Sequence, residues 1–166
     1  MRTLRIVSLA AGILAVIVFS PGMVAAHAAN HAPTAARQLP TNPRSPAFRF
    51  GLQGSFTTVG TFTVTIYVDG RVMLTKTPRT SSMHLVNPKA TIFPVALTGL
   101  LKLATAEGFF AMPSKIVPKQ VVSDLGTAFI TIYTRTGTKS VAVTGNSSQP
   151  FYELYSLLNY VAGATS

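Results

Sequence analysis

The stretch FTVTIYVDGRVML, Phe62 to Leu74, decides the fold. Phe62, Val64, Ile66 and Val68 alternate with Thr63, Thr65 and Tyr67, the period of two that marks a half-buried strand. Asp69-Gly70 supplies turn chemistry, and Val72 and Leu74 then alternate with Arg71 and Met73. A two-residue loop would set Ile66 opposite Met73. A three-residue loop, a type I turn with Gly70 left-handed, sets Ile66 opposite Val72 and Val64 opposite Leu74. Burial of one face selects the second register, because it gathers the aliphatic groups on one side. The other side then carries Thr63, Thr65, Tyr67, Arg71 and Met73.

Residues 127–144 repeat the design. Ile130 and Ile132 alternate with Phe129, Thr131 and Tyr133, and Val141 and Val143 return after Thr136-Gly137. An even loop here sets Ile132 opposite Val141 and Ile130 opposite Val143. Val64-Thr65-Ile66-Tyr67 and Ile130-Thr131-Ile132-Tyr133 are near-copies. Duplication of one unit and shared strand composition both account for the match.

Each hairpin is followed by a helical stretch. Pro94 suits an opening turn, Leu97, Leu100, Leu101 and Ala104 recur at helical spacing, and Gly108 ends the run. Later, Pro150 opens a second run, with Ser147 or Ser148 as cap. Phe151, Leu154, Tyr155, Leu158 and Val161 form its apolar stripe, and Gly163 closes it. The order hairpin, helix, hairpin, helix predicts an α+β domain. It is an antiparallel sheet of two hairpins, about four strands, with both helices packed on the aliphatic face. Residues 56–59 are the candidate for a fifth, edge strand.

Upstream lies a different kind of sequence. Arg2 and Arg5 precede an uncharged apolar run over residues 6–19, broken by Pro21-Gly22 and followed by Ala26-His27-Ala28. This is the pattern of a secretory signal peptide, residues 1–28, cleaved near Ala28. An uncleaved anchor is the alternative, but fourteen apolar residues fall short of the roughly 20 a span needs. Residues 29–47 hold Pro33, Pro40, Pro43 and Pro46 without apolar periodicity and read as a disordered tether. Residues 48–166 then form the domain.

Without Arg2 and Arg5, twelve Lys and Arg face four acids, a net charge of +8. Such a charge favours anionic partners, and the same charge also serves solubility alone. In an exported protein those partners are envelope polymers or lipid headgroups rather than nucleic acid. The chain has no cysteine, which excludes disulfides and a bacterial lipoprotein anchor.

From about residue 52 onward the chain resembles a family of small exported bacterial domains of unknown function. The resemblance rests on several short motifs: the hairpin Ile66-Tyr67-Val68-Asp69-Gly70-Arg71-Val72, then Glu107-Gly108-Phe109-Phe110, Ser123-Asp124-Leu125 and the helix after Pro150. It implies the fold and export, and no activity. The family's cysteines are missing here, with Gly54 to Gly60 in their place, so no thiol role carries over.

Signals for chemistry are sparse. His84 and Asp124 lie in predicted loops, and with Ser81 or Ser82 they could compose a hydrolytic triad only by chance of composition. Asp124 more simply pins its loop. If cleavage follows Ala28, the new terminus Ala29-Asn30-His31 places His31 where it could wrap a square-planar metal. No cofactor is expected. The polar sheet face is the remaining candidate: Thr63, Thr65, Tyr67, Arg71, Thr131 and Tyr133, together with Ser140, suit binding of a glycan, peptide or protein. The sequence therefore points to an exported, non-catalytic binding domain with an unknown envelope or extracellular ligand of anionic character. A secreted inhibitor using a sheet edge is the alternative, and a small enzyme the third.

Overall fold

The structure is a computed structural model that describes residues 37–54, 60–77, 82–119, 126–145 and 148–165. Among these residues eight strands and two helices follow one another: β1 Pro46–Gln53, β2 Thr61–Tyr67, β3 Val72–Thr77, β4 His84–Leu85, α1 Pro94–Ala106, β5 Lys115–Ile116, β6 Thr127–Thr134, β7 Gly137–Thr144, α2 Gln149–Ala162 and β8 Ala164–Thr165. A single 3₁₀ turn, Phe109–Ala111, follows α1. The α+β class expected from the sequence is therefore present. The sheet is larger than expected and mixed. Its order is β3-β2-β1-β6-β7-β5, with β5 parallel to β7, and β4 pairs with β8 separately.

The main departure is β1. It separates the two hairpins and pairs antiparallel with β2 on one side and β6 on the other. Part of the stretch expected to be a tether, residues 29–47, is therefore folded. Leu39 packs against the core. The Gln38, Pro43 and Ser45 carbonyls accept hydrogen bonds from the Arg135, Asp69 and Val68 amides, each at 3.0 Å. Four prolines hid this segment, because proline weakens strand signals. Only Pro46 enters β1, at its first position, where a missing donor costs least. Residues 29–36, the expected leader at residues 1–28 and the expected edge strand at residues 56–59 lie outside the described residues.

The first hairpin has the register expected, Ile66 opposite Val72 and Val64 opposite Leu74. The second is shifted. Its loop is Arg135-Thr136, so Ile132 faces Lys139 and Ile130 faces Val141. A shift of two keeps every side chain on its own face. Lys139 is tolerated on the apolar face because its ammonium donates to the Met112 carbonyl.

Phe48, Phe50, Val64, Ile66, Ile130 and Ile132 form the buried floor of the core. Leu97, Leu100, Leu101 and Ala104 of α1 close over it, with Phe151, Leu154 and Leu158 of α2. Ser148 is the cap of α2 but makes no side-chain capping hydrogen bond, and Gly163 ends the helix in the left-handed conformation at φ 64°.

Gly70 ties the first hairpin to the approach of α1. Its carbonyl accepts from the Ile92 amide at 2.9 Å, and Arg71 bridges Thr91. At φ 83°, a Cβ here would stand 2.0 Å from the Ile92 carbonyl oxygen. Gly70→Ala is therefore expected to cost about 2–4 kcal/mol of unfolding free energy through left-handed strain and displaced backbone. Urea denaturation measures it, and a loss below about 0.5 kcal/mol would show the clasp to be slack.

Candidate functional site

The polar sheet face is not the flat open surface expected. Thr63, Thr65 and Tyr67 stand on β2, and Thr131 and Tyr133 on β6, one strand removed on the far side of β1. Neighbouring strands lie about 4.8 Å apart, so the two groups sit about 10 Å from each other. Between them projects Arg49, opposite both Thr65 and Thr131 and exposed. The middle of the face is closed, with Thr65 at 7% exposure and Phe129 at 8%. Thr131 and Ser140 hydrogen-bond to each other at 3.0 Å, which occupies part of their capacity. Of the residues expected here, Tyr67 and Arg71 line a groove.

That concavity is built by the Asp69-Gly70 turn. The Asp69 carboxylate accepts the Arg71 amide at 3.1 Å and the Arg71 Nε at 2.7 Å. The Arg71 side-chain hydrogen bond holds the Asp69 carboxyl below its usual value, against the opposing effect of desolvation. The guanidinium lies over the Tyr67 ring, 4.9 Å from its centroid. Pro88, Lys89 and Thr91 complete a groove of about 470 Å³ with Tyr67, Arg71 and Met73. Its polar groups suit an anion.

A second groove, about 400 Å³, adjoins the first and shares Val72, Ala90 and Thr91 with it. Ile92, Ala96 and Val161 lie among its apolar lining. Around it stand three large apolar side chains in contact with water: Val86 at 69% exposure, Phe93 at 77% and Tyr160 at 82%. Val95, in the first turn of α1, is equally exposed at 77%. Val86 is held against the end of α2 by its amide, which donates to the Gly163 carbonyl at 2.8 Å. Phe93 occupies the N-cap of α1 with no side-chain capping bond, so its ring is free of local duty.

A third cleft, about 520 Å³, opens between α2 and the opposite end of the sheet, lined by Leu52, Phe62, Met83, Tyr152, Tyr155 and Asn159 among others. The Tyr152 hydroxyl donates to the Gly145 carbonyl at 2.6 Å. The Asn159 amide donates to the Tyr155 carbonyl at 3.0 Å, while its own Oδ1 is buried without a partner. Burial pushes the Tyr155 phenol up to about 12, and desolvation also raises Tyr152.

His84 is in β4 rather than a loop. Its Nδ1 lies 3.3 Å from the Ser82 carbonyl and its Nε2 is 3.0 Å from Thr165 Oγ1, which ties the ring to β8. Asp124, Ser81 and His31 lie outside the described residues. Among the described residues no three His, Cys, Asp or Glu side chains are grouped to hold a metal, and no helix is long and apolar enough to cross a membrane.

Arg49, Lys89, Phe93 and Tyr160 were missed in the sequence. Arg49 depends on recognising β1. Tyr160 falls off the apolar stripe of α2, and an aromatic ring on the polar side of a helix was the available signal. Phe93 precedes the helix-opening Pro94, where an apolar residue has no stripe to join. No family model, curated protein or solved structure matches the chain.

The Tyr155 shift has a consequence at high pH. A phenol that ionises at 10 in the unfolded chain and at about 12 when folded favours the fold below pH 10, and that contribution is lost as pH rises through 12. The urea midpoint of Tyr155→Phe should fall less steeply than that of the wild type across this window. Parallel curves would place the cause elsewhere.

Proposed function

We propose that the chain is an exported, non-catalytic binding domain whose partner is anionic, engaged by the groove between the Asp69-Gly70 turn and Lys89. The observation that carries this is the Arg71 guanidinium, fixed by Asp69 and laid over Tyr67, with Lys89 lining the same groove. Two cations and a phenol lining one groove, with Arg71 fixed at its turn, suit sulfate, phosphate or carboxylate groups. The net charge of +8 left after the leader draws such partners in. Export rests on the N-terminal pattern and on the resemblance to small exported bacterial domains. The inhibitor alternative rests on β3, which lies at the edge of the sheet and, among the described residues, pairs with β2 alone in the sheet order.

Retention of the purified chain on immobilised heparin, eluted with a salt gradient, tests the proposal. Arg71→Ala/Lys89→Ala should elute at distinctly lower salt than Lys102→Ala/Lys115→Ala, which removes the same charge from exposed positions outside the groove. Equal elution of the two variants would assign the charge to solubility alone. A salt-resistant stoichiometric complex with a protein would favour the sheet edge.

A further inference from the structure

The apolar groove and its rim specify the partner more closely, an inference that rests on the anion-binding proposal above. Val86, Phe93 and Tyr160 surround one groove, with Val95 two residues beyond Phe93. They belong to three separate elements, the residue after β4, the cap of α1 and the last turns of α2. An ordinary surface scatters such residues singly, whereas here they meet over a floor that is itself apolar.

Charge is arranged around the same end. Lys89 and Arg71 line the adjoining groove. Of the three described acids, Asp69 stands at this end, paired with Arg71 at 2.7 Å, and the other two stand toward the far ends of the helices. Glu107 caps the C-terminus of α1, eleven residues from Ala96 and so about 16 Å away along the axis. Glu153 lies seven residues before Tyr160, about 10 Å along α2. Aromatic and β-branched side chains that stand clear of the fold, flanked by cations, match the interface of an anionic bilayer. Rings settle at headgroup depth, valines reach the acyl boundary and lysine meets phosphate. A second copy of the chain would bring the same cations to the same face, and a neutral apolar peptide would leave Lys89 without a role.

We infer that this pole docks peripherally on an anionic lipid bilayer, with Phe93 and Tyr160 inserted at headgroup depth and Arg71 and Lys89 on lipid phosphates. The absence of tryptophan from the chain makes the test local. Phe93→Trp places one indole at the pole, and Val117→Trp, at a site 52% exposed in the wild type and outside the groove, serves as control. Both substitutions sit on exposed positions and leave the core untouched. In the full chain, the N-terminal apolar run over residues 6–19 could bring any variant to vesicles, so sedimentation alone decides nothing and the emission of the indole decides.

With vesicles containing phosphatidylglycerol, the indole at position 93 should shift to the blue and be quenched by brominated acyl chains. The indole at position 117 should do neither. Adding Arg71→Ala/Lys89→Ala, or replacing the phosphatidylglycerol by phosphatidylcholine, should weaken the shift at least tenfold in lipid concentration. An unshifted indole at position 93 overturns the inference, as does an equal shift on neutral vesicles. So does a shift without lipid that grows with protein concentration, which would mean self-association. If heparin retention depends on Arg71 and Lys89 while position 93 stays unshifted, anion binding stands and the bilayer falls. If neither is seen, both fall.

Discussion

The pairing of β1 with both hairpins is the constraint on which the molecule depends. A lone hairpin is marginal in water, and each of these would expose an unpaired edge toward the other. β1 closes both edges and delivers Phe48 and Phe50 to the centre of the core. It comes close to its neighbour. A Cβ on the buried Gly51 would stand 2.1 Å from the Phe62 carbonyl oxygen, so glycine permits the approach. Once six strands are joined, one face is wide enough to hold two helices, and a single core follows.

The clasp at Gly70 has a second effect. By holding Thr91 and Ile92 to the hairpin, it determines where α1 begins and therefore where Phe93 stands. The last turns of α2 meet this place through the short pairing of β4 with β8 and the Val86–Gly163 hydrogen bond. Two grooves that share residues thus differ in chemistry, one with cations and a phenol, the other apolar. The proposed recognition would draw on this adjacency of turn and helix ends, each of which has an ordinary structural purpose.

Both helices, their apolar stripes, the first hairpin and its register were legible in the sequence because each is a local pattern enforced by burial of one face. The second register was not, since either pairing keeps the same residues on the same face and burial alone does not choose between them. The site was half legible. Tyr67 and Arg71 followed from the hairpin, but the expected surface across Thr63, Thr65, Thr131 and Tyr133 assumed hairpins side by side, and the intervening β1 parts them and puts Arg49 between.

By itself the sequence determined the α+β class, the helix boundaries at Pro94 and Gly163 and the surplus of positive charge, because periodicity, capping chemistry and composition act over a few residues or over none in particular. Only the tertiary structure decided that a proline-flanked segment becomes the central strand, that Lys89 shares a groove with Arg71, and that Val86, Phe93 and Tyr160 meet. Those placements join residues up to 84 positions apart, as Phe48 and Ile132 are. No local propensity encodes them, since the burial that selects them exists only after the chain has closed on itself.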